Sequence, residues 1–225
     1  MVILGINAYH PDSSACLLID GEIKIAIEEE RLNRIKHWSG FPKLSIMECL
    51  KNQKILTTEI DVIAINHNFY SNLFNKIKFV FSTKPRLTFY LNRLNSHFKK
   101  KNIMDTFKEE IGELKKNCKL FEADHHKSHV ASAYFDSPFK DAVNLSIDGF
   151  GDFASLSWGL TKDQNIIIDK KILFPHSLGI FYEAFTQLLG FKNFGDEYKI
   201  MGLSSYGKPS EISKVRKIID IKKKW

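Results

Sequence analysis

Two histidines four residues apart, His125 and His129 in "EADHHKSHVASAYF" (122–135), are the residues of this chain best spaced to do chemistry. On a helix, side chains at i and i+4 share a face, so both imidazoles can reach one metal ion. The HExxH pattern of zinc proteases is not formed, because His126 stands where its glutamate would be. A metal held here would therefore lack that motif's built-in general base. Two imidazoles also need at least one further ligand, commonly a carboxylate. Asp148 is the candidate, since it closes the strand-like run "AVNLSIDG" (142–149) and opens a glycine-rich turn. The same residues also have a plainer use, because a polar stretch after Asp124 is how an ordinary helix begins.

His10 lies in a polar turn with Asp12, Ser13 and Ser14. An imidazole titrates near neutrality, which suits it to take a proton from an attacking hydroxyl. "EEERLNRIKH" (28–37) is either an exposed charged segment or a rim for a polar or phosphorylated substrate, since arginine pairs well with oxyanions. "DEYKIMGLSSYGKP" (196–209) sets Lys199 beside glycines, where a cation can receive phosphate oxygens, but it does not form the GxxxxGK[ST] phosphate loop.

Positioning these groups requires strands and helices in a definite order. "VILGINA" (2–8), "SACLLI" (14–19) and "GEIKIAIEEE" (21–30) read as strands, the last two joined at the hairpin signal Asp20-Gly21. "PKLSIMECLKN" (42–52) has helical spacing after Pro42, and "DVIAINH" (61–67) suits a buried strand. The aromatic, basic stretch 69–116 reads as a partly helical elaboration on the core. A strand is expected at 118–124, a helix from about His126 to Phe135, strands at 142–149, 153–160 and 165–174, and helices at 177–190 and 196–209. The plan strand, polar turn, strand, turn, strand occurs twice, in residues 4–29 and again in 145–171. Such a repeat suggests two related lobes facing a cleft, with glycines admitting an anion to the backbone and aspartates holding a metal or water.

A chain of 225 residues with 44% apolar and 12% aromatic content is that of a folded protein. No run approaches the roughly 18 apolar residues of a membrane span. The opening "MVILGINAYHPD" lacks a signal-peptide pattern, and three distant cysteines suggest no disulfide frame, so a reducing cytoplasm is the expected setting. The net charge of +7 gathers in residues 76–120 and at the end, but no nucleic-acid-binding motif accompanies it and no nucleic acid is expected.

Taken together, "GINAYHPDSSACLLIDG", "AIEEERLNRIKHWSGFP", "HHKSHVASAYFDSPF", "SIDGFGD" and "EYKIMGLSSYG" resemble the N-terminal part of the O-carbamoyltransferases. That family includes nodulation-factor, cephalosporin and aminoglycoside carbamoyltransferases. The resemblance implies an α/β, ASKHA-type fold of two duplicated ribonuclease-H-like lobes with the site between them. By this likeness residues 1–141 form the first lobe and 142–225 begin a second, incomplete one, while the rest of that lobe and a YrdC-like domain are missing. It implies that carbamoyl phosphate and ATP give a carbamoyl-adenylate, whose carbamoyl group passes to the hydroxyl of a small acceptor with the help of a bound metal, iron by expectation. Matched by motif, His125, His129 and Asp148 would be metal ligands and His10 the general base. Gly149, Gly151 and Lys199 would lie near the carbamoyl or phosphate end. A complementary C-terminal chain is then the expected partner. Two alternatives stay open: an inactive binding module, and an ASKHA-type phosphotransferase, which has no need of the HxxxH pair.

Overall fold

Short apolar runs punctuated by turn residues become the strands β1 (Val2–Asn7), β2 (Ser14–Ile19) and β3 (Glu22–Glu28). Asp20 and Gly21, both at positive φ, make the two-residue turn between β2 and β3. In this computed structural model, residues 1–68, 70–83 and 103–219 are described. A short helix α1 (Glu29–Asn33) and the longer α2 (Lys43–Gln53) precede β4 (Val62–Ile65). Then follow α3 (Leu73–Thr83), α4 (Ile103–Glu110), β5 (Lys119–Glu122) and α5 (His125–Tyr134). β6 (Asp141–Gly151), β7 (Ala154–Lys162) and β8 (Asn165–Leu173) form a meander. The helices α6 (Leu178–Leu188), α7 (Glu197–Ser204) and α8 (Ile212–Val215) complete the order. No helix among the described residues is long and apolar enough to cross a membrane.

The first sheet has the order β3-β2-β1-β4-β5. β1 to β3 run antiparallel, while β4 and β5 lie parallel to β1. That arrangement is the ribonuclease-H-like one expected of an ASKHA-type lobe. The second sheet, β6-β7-β8, repeats its antiparallel opening. Packing divides the chain into two units, Met1–Ile180 and Phe181–Trp225, and both sheets belong to the first.

The core of the first unit gathers Leu4 and Ile6 of β1, Leu17 of β2 and Ile63 of β4 against Ile46, Cys49 and Leu50 of α2. Ile103 and Phe107 of α4 are buried in the same cluster, so part of the stretch 69–116 is core and not decoration. Residues 84–102 of that stretch lie outside the described residues.

The charged segment after β3 also differs from a simple exposed rim. Glu29 is buried, and its carboxylate accepts from the amides of Leu44 and Ser45 at 3.0 and 2.7 Å and from the Ser45 hydroxyl at 2.8 Å. Those amides belong to the first turn of α2, whose unpaired N–H groups and positive dipole end favour an anion. Glu29→Ala is expected to lower stability by about 2 kcal/mol, since it strands two buried donors. Urea unfolding of the variant measures this, and an unchanged midpoint would show that α2 needs no such cap.

Candidate metal centre

The parallel strands β1, β4 and β5 deliver the site residues from their C-terminal ends, where α/β sheets commonly bind ligands. His10 follows β1, Asn66 and His67 follow β4, and His125 follows β5. Asp124 caps α5 by accepting from the Lys127 amide at 3.1 Å. The same carboxylate takes bonds from the Ser71 hydroxyl at 2.9 Å and from Lys171 Nζ on β8 at 2.7 Å. These partners hold the carboxyl below the usual aspartate range, even though burial pushes the other way. The first turn of α5 is thereby tied to the second sheet.

Within α5, i+4 spacing sets His125 and His129 on one face, with Nε2 to Nε2 at 3.0 Å. Asp148, near the end of β6, brings Oδ2 to 2.9 Å from His125 Nε2 and 3.7 Å from His129 Nε2. Its other oxygen accepts from the Gly149 amide at 2.6 Å. His125 is buried, Asp148 half-buried and His129 exposed, so the cluster opens to solvent on the His129 side.

The donor set fits a metal ion. Ligand atoms each about 2.1 Å from one ion stand about 3.0–3.4 Å apart at octahedral to tetrahedral angles, and the observed separations bracket that range. The tautomer also fits. His125 Nδ1 lies 3.2 Å from the Asn66 carbonyl, an acceptor that requires Nδ1–H. In neutral His125 the lone pair of Nε2 then faces both the Asp148 oxygen and the second imidazole. Such a convergence of lone pairs calls for a proton or a cation between them. Without a metal the proton fills that role. Burial disfavours a charged His125, but the Asp148 bond and charge prevail and raise its pKa. Asp148 itself is held far below the ordinary carboxylate range by His125 and His129, again against burial.

Gly151 is what admits the His125 ring. A Cβ at this position would lie 1.9 Å from His125 Cδ2, so any side chain would displace the imidazole. The next two residues, Asp152 and Phe153, both at positive φ, form the two-residue turn between β6 and β7. Asp152 is almost wholly buried there. It accepts from the amides of His125 and Asn68, each at 3.0 Å, and faces His67 Nδ1 at 2.6 Å. These contacts hold its carboxyl below the usual range despite burial. His126, fully buried, places Nδ1 2.8 Å from the Ser146 hydroxyl on β6, a second tie between α5 and the strand that carries Asp148.

The structure thus brings together His125, His129, Asp148 and Gly151, with the His10 ring 5.9 Å from that of His125. His10 Nδ1 lies 3.2 Å from the Pro11 carbonyl. Gly149 contributes its amide to Asp148, and Gly151 the space for His125. Lys199 belongs to the second unit, where it pairs with Asp196 at 2.6 Å. Sequence reasoning missed His67, the Asn66 carbonyl and the role of Asp152, which it placed only in a polar turn whose aspartates hold a metal or water. "SIDGFGD" contains Asp152, but no local spacing links it to His67, whose neighbourhood comes from the parallel pairing of β4 with β5.

Residues 2–224 match the family described as carbamoyltransferase N-terminus. Among curated proteins, the chain is 36% identical to an uncharacterized protein of Synechocystis sp., over 98% of this chain and 37% of that protein. It is 34% identical to the nodulation protein NolNO of Sinorhizobium fredii, over 91% of this chain and 29% of that protein. It spans about a third of the length of the curated relatives it matches. Among solved structures, YeaZ from Pseudomonas aeruginosa aligns at a TM-score of 0.41 with 10% identity, over 78% of this chain and 69% of that one. The family match runs through every element that builds the centre, from the His10 turn to the β6–β7 turn: the chain belongs to the carbamoyltransferase N-terminus family.

Proposed function

We propose that this chain carries the metal-centred part of a carbamoyl-transfer site, with His125, His129 and Asp148 holding a divalent ion, iron by preference. The convergence of three ligand atoms on one point, open to solvent on one side, carries this reading. The bound ion would polarise the carbamoyl carbonyl and offset phosphate charge. The chain's own groups do the rest. The Asn66 carbonyl fixes the His125 tautomer, and Asp148 supplies the negative charge that draws a cation to the pair. His10, beside His125, accepts the proton of the acceptor hydroxyl as its oxygen attacks the carbamoyl carbon. The bond from that carbon to the adenylate oxygen breaks, and AMP leaves with the electron pair. Formation of the carbamoyl-adenylate from ATP and carbamoyl phosphate belongs to polypeptide beyond these residues, and β6 to β8 begin the second lobe.

Two assays test this. With carbamoyl phosphate and ATP the chain alone is expected to release no pyrophosphate, and robust release would place adenylation within it. With preformed carbamoyl-adenylate, Fe(II), the remaining polypeptide of a relative and a panel of hydroxylated acceptors, transfer is expected and should fall at least tenfold in His10→Ala. Transfer unaffected by that variant would remove His10 from the mechanism.

A further inference from the structure

Two carbonyls orient the two imidazoles that the functional reading uses. The Asn66 carbonyl holds the proton of His125 on Nδ1, and the Pro11 carbonyl, 3.2 Å from His10 Nδ1, does the same for His10. Neutral His10 therefore carries its lone pair on Nε2, the atom with which a base takes up a proton. One pair of side chains links these carbonyls. β1 and β4 run parallel with Ile6 opposite Ile65, so Asn7 and Asn66 follow as neighbours at the strand ends. Asn66 Nδ2 donates to Asn7 Oδ1 at 3.3 Å. Asn7 Nδ2 in turn donates to the carbonyls of Asp12 at 3.0 Å and Pro11 at 3.4 Å. The direction is fixed, because carbonyls only accept: Asn7 must turn its amide nitrogen to them and its oxygen to Asn66.

The His10 turn needs such a hold. Tyr9 and Asp12, before and after His10, sit at positive φ, where residues other than glycine are uncommon. Ser13 anchors the far end, with its hydroxyl 2.9 Å from the His10 carbonyl and its amide donating to the Trp38 carbonyl at 2.9 Å. We propose that Asn7 and Asn66 are positioning residues for the transfer, a relay of two amides that keeps the His10 ring at its 5.9 Å spacing from the ring of His125. Base and carbamoyl carbon must meet the attacking hydroxyl in one geometry, where a misplacement of about 1 Å can cost about 100-fold in rate. The relay rests on the reading of His10 as the base, and adds the residues that hold it in register with the metal ligands.

Two variants break the relay at different points. Asn66→Ala removes the donor yet keeps the backbone carbonyl that His125 needs. Asn7→Asp keeps the shape and the oxygen facing Asn66 but loses both donations to the turn. In the metal-free chain with labelled histidines, the rings of His10 and His125 are expected to show a nuclear Overhauser contact. That contact should be several-fold weaker in either variant at unchanged circular dichroism. Ring-nitrogen shifts should report Nδ1–H for His10 in the parent and a mixture of tautomers in Asn7→Asp. In the transfer assay Asn66→Ala should lower kcat about tenfold at unchanged KM for the acceptor, and should cost nothing further in a His10→Ala background. A parent without the ring contact, a contact and tautomer indifferent to both variants, or a loss that adds in full to that of His10→Ala overturns the relay. Metal content is measured separately: a parent chain that binds no metal refutes the centre and leaves the ring contact to be read on its own.

Discussion

Asp148→Asn is expected to lower transition-metal affinity more than about 100-fold, beyond what losing an outer-shell partner costs, while leaving the fold intact. Asparagine keeps the shape and can still accept the Gly149 amide, but it removes the charge that faces His125 and His129. Metal titration with circular dichroism as the folding control measures this, and an affinity within about threefold of the parent would exclude Asp148 as a ligand. The pH dependence follows from the same contacts. Metal and proton compete for His125 Nε2, whose proton affinity Asp148 raises against the pull of burial. Below that raised pKa, binding must expel a proton, so metal affinity climbs as pH rises through it and then levels off. Calorimetry in buffers of different ionisation heat should show proton release that fades toward higher pH. In the metal-free chain His125 acts oppositely. The stability it contributes is complete below its unfolded pKa and is lost as pH rises through the folded one.

Asp152→Ala is expected to destabilise the chain by about 2–3 kcal/mol, the usual loss when buried donors are left without their acceptor. With its side chain only 1% exposed, Asp152 faces His67 and takes the amides of Asn68 and His125. Truncation leaves the amides of Asn68 and His125 without their acceptor and puts alanine at a positive φ. The contribution has a definite sign with pH. The depressed folded pKa means that the stabilisation is present above the unfolded value near 3.8 and is lost as pH falls through the folded one. Parent and variant should therefore differ most at neutral pH and converge in acid. A neutral-pH loss below about 1 kcal/mol in urea unfolding would show that His67 and the two amides find other partners.

What could be read from the residues themselves follows their range of action. The pair His125 and His129 is local: four residues of helix set both rings on one face. Asp148 was legible as a carboxylate beside a glycine-rich stretch, although β6 runs on past it to Gly151 and the turn is made by Asp152 and Phe153, and the hairpin at Asp20-Gly21 needs only its own two residues. Glu29 was not legible as a helix cap, because its partners Leu44 and Ser45 lie fifteen and sixteen positions on and reach it only after α1 and α2 pack. The Asn66 contribution is a backbone carbonyl, which any residue type could provide. Gly151 carried a conformational signal, but its necessity comes from the His125 ring, twenty-six residues earlier, pressing on the backbone. The alternation in "AVNLSID" does encode two faces. Only the packing of α5 reveals that the polar one, which includes Asp148, turns inward toward the candidate metal centre.

The most direct test of the centre is the metal content of the purified chain against the His125→Ala/His129→Ala variant. The geometry predicts about one transition-metal ion per parent chain, and close to none in the double variant at unchanged secondary structure. Equal metal content in the two proteins would contradict the site.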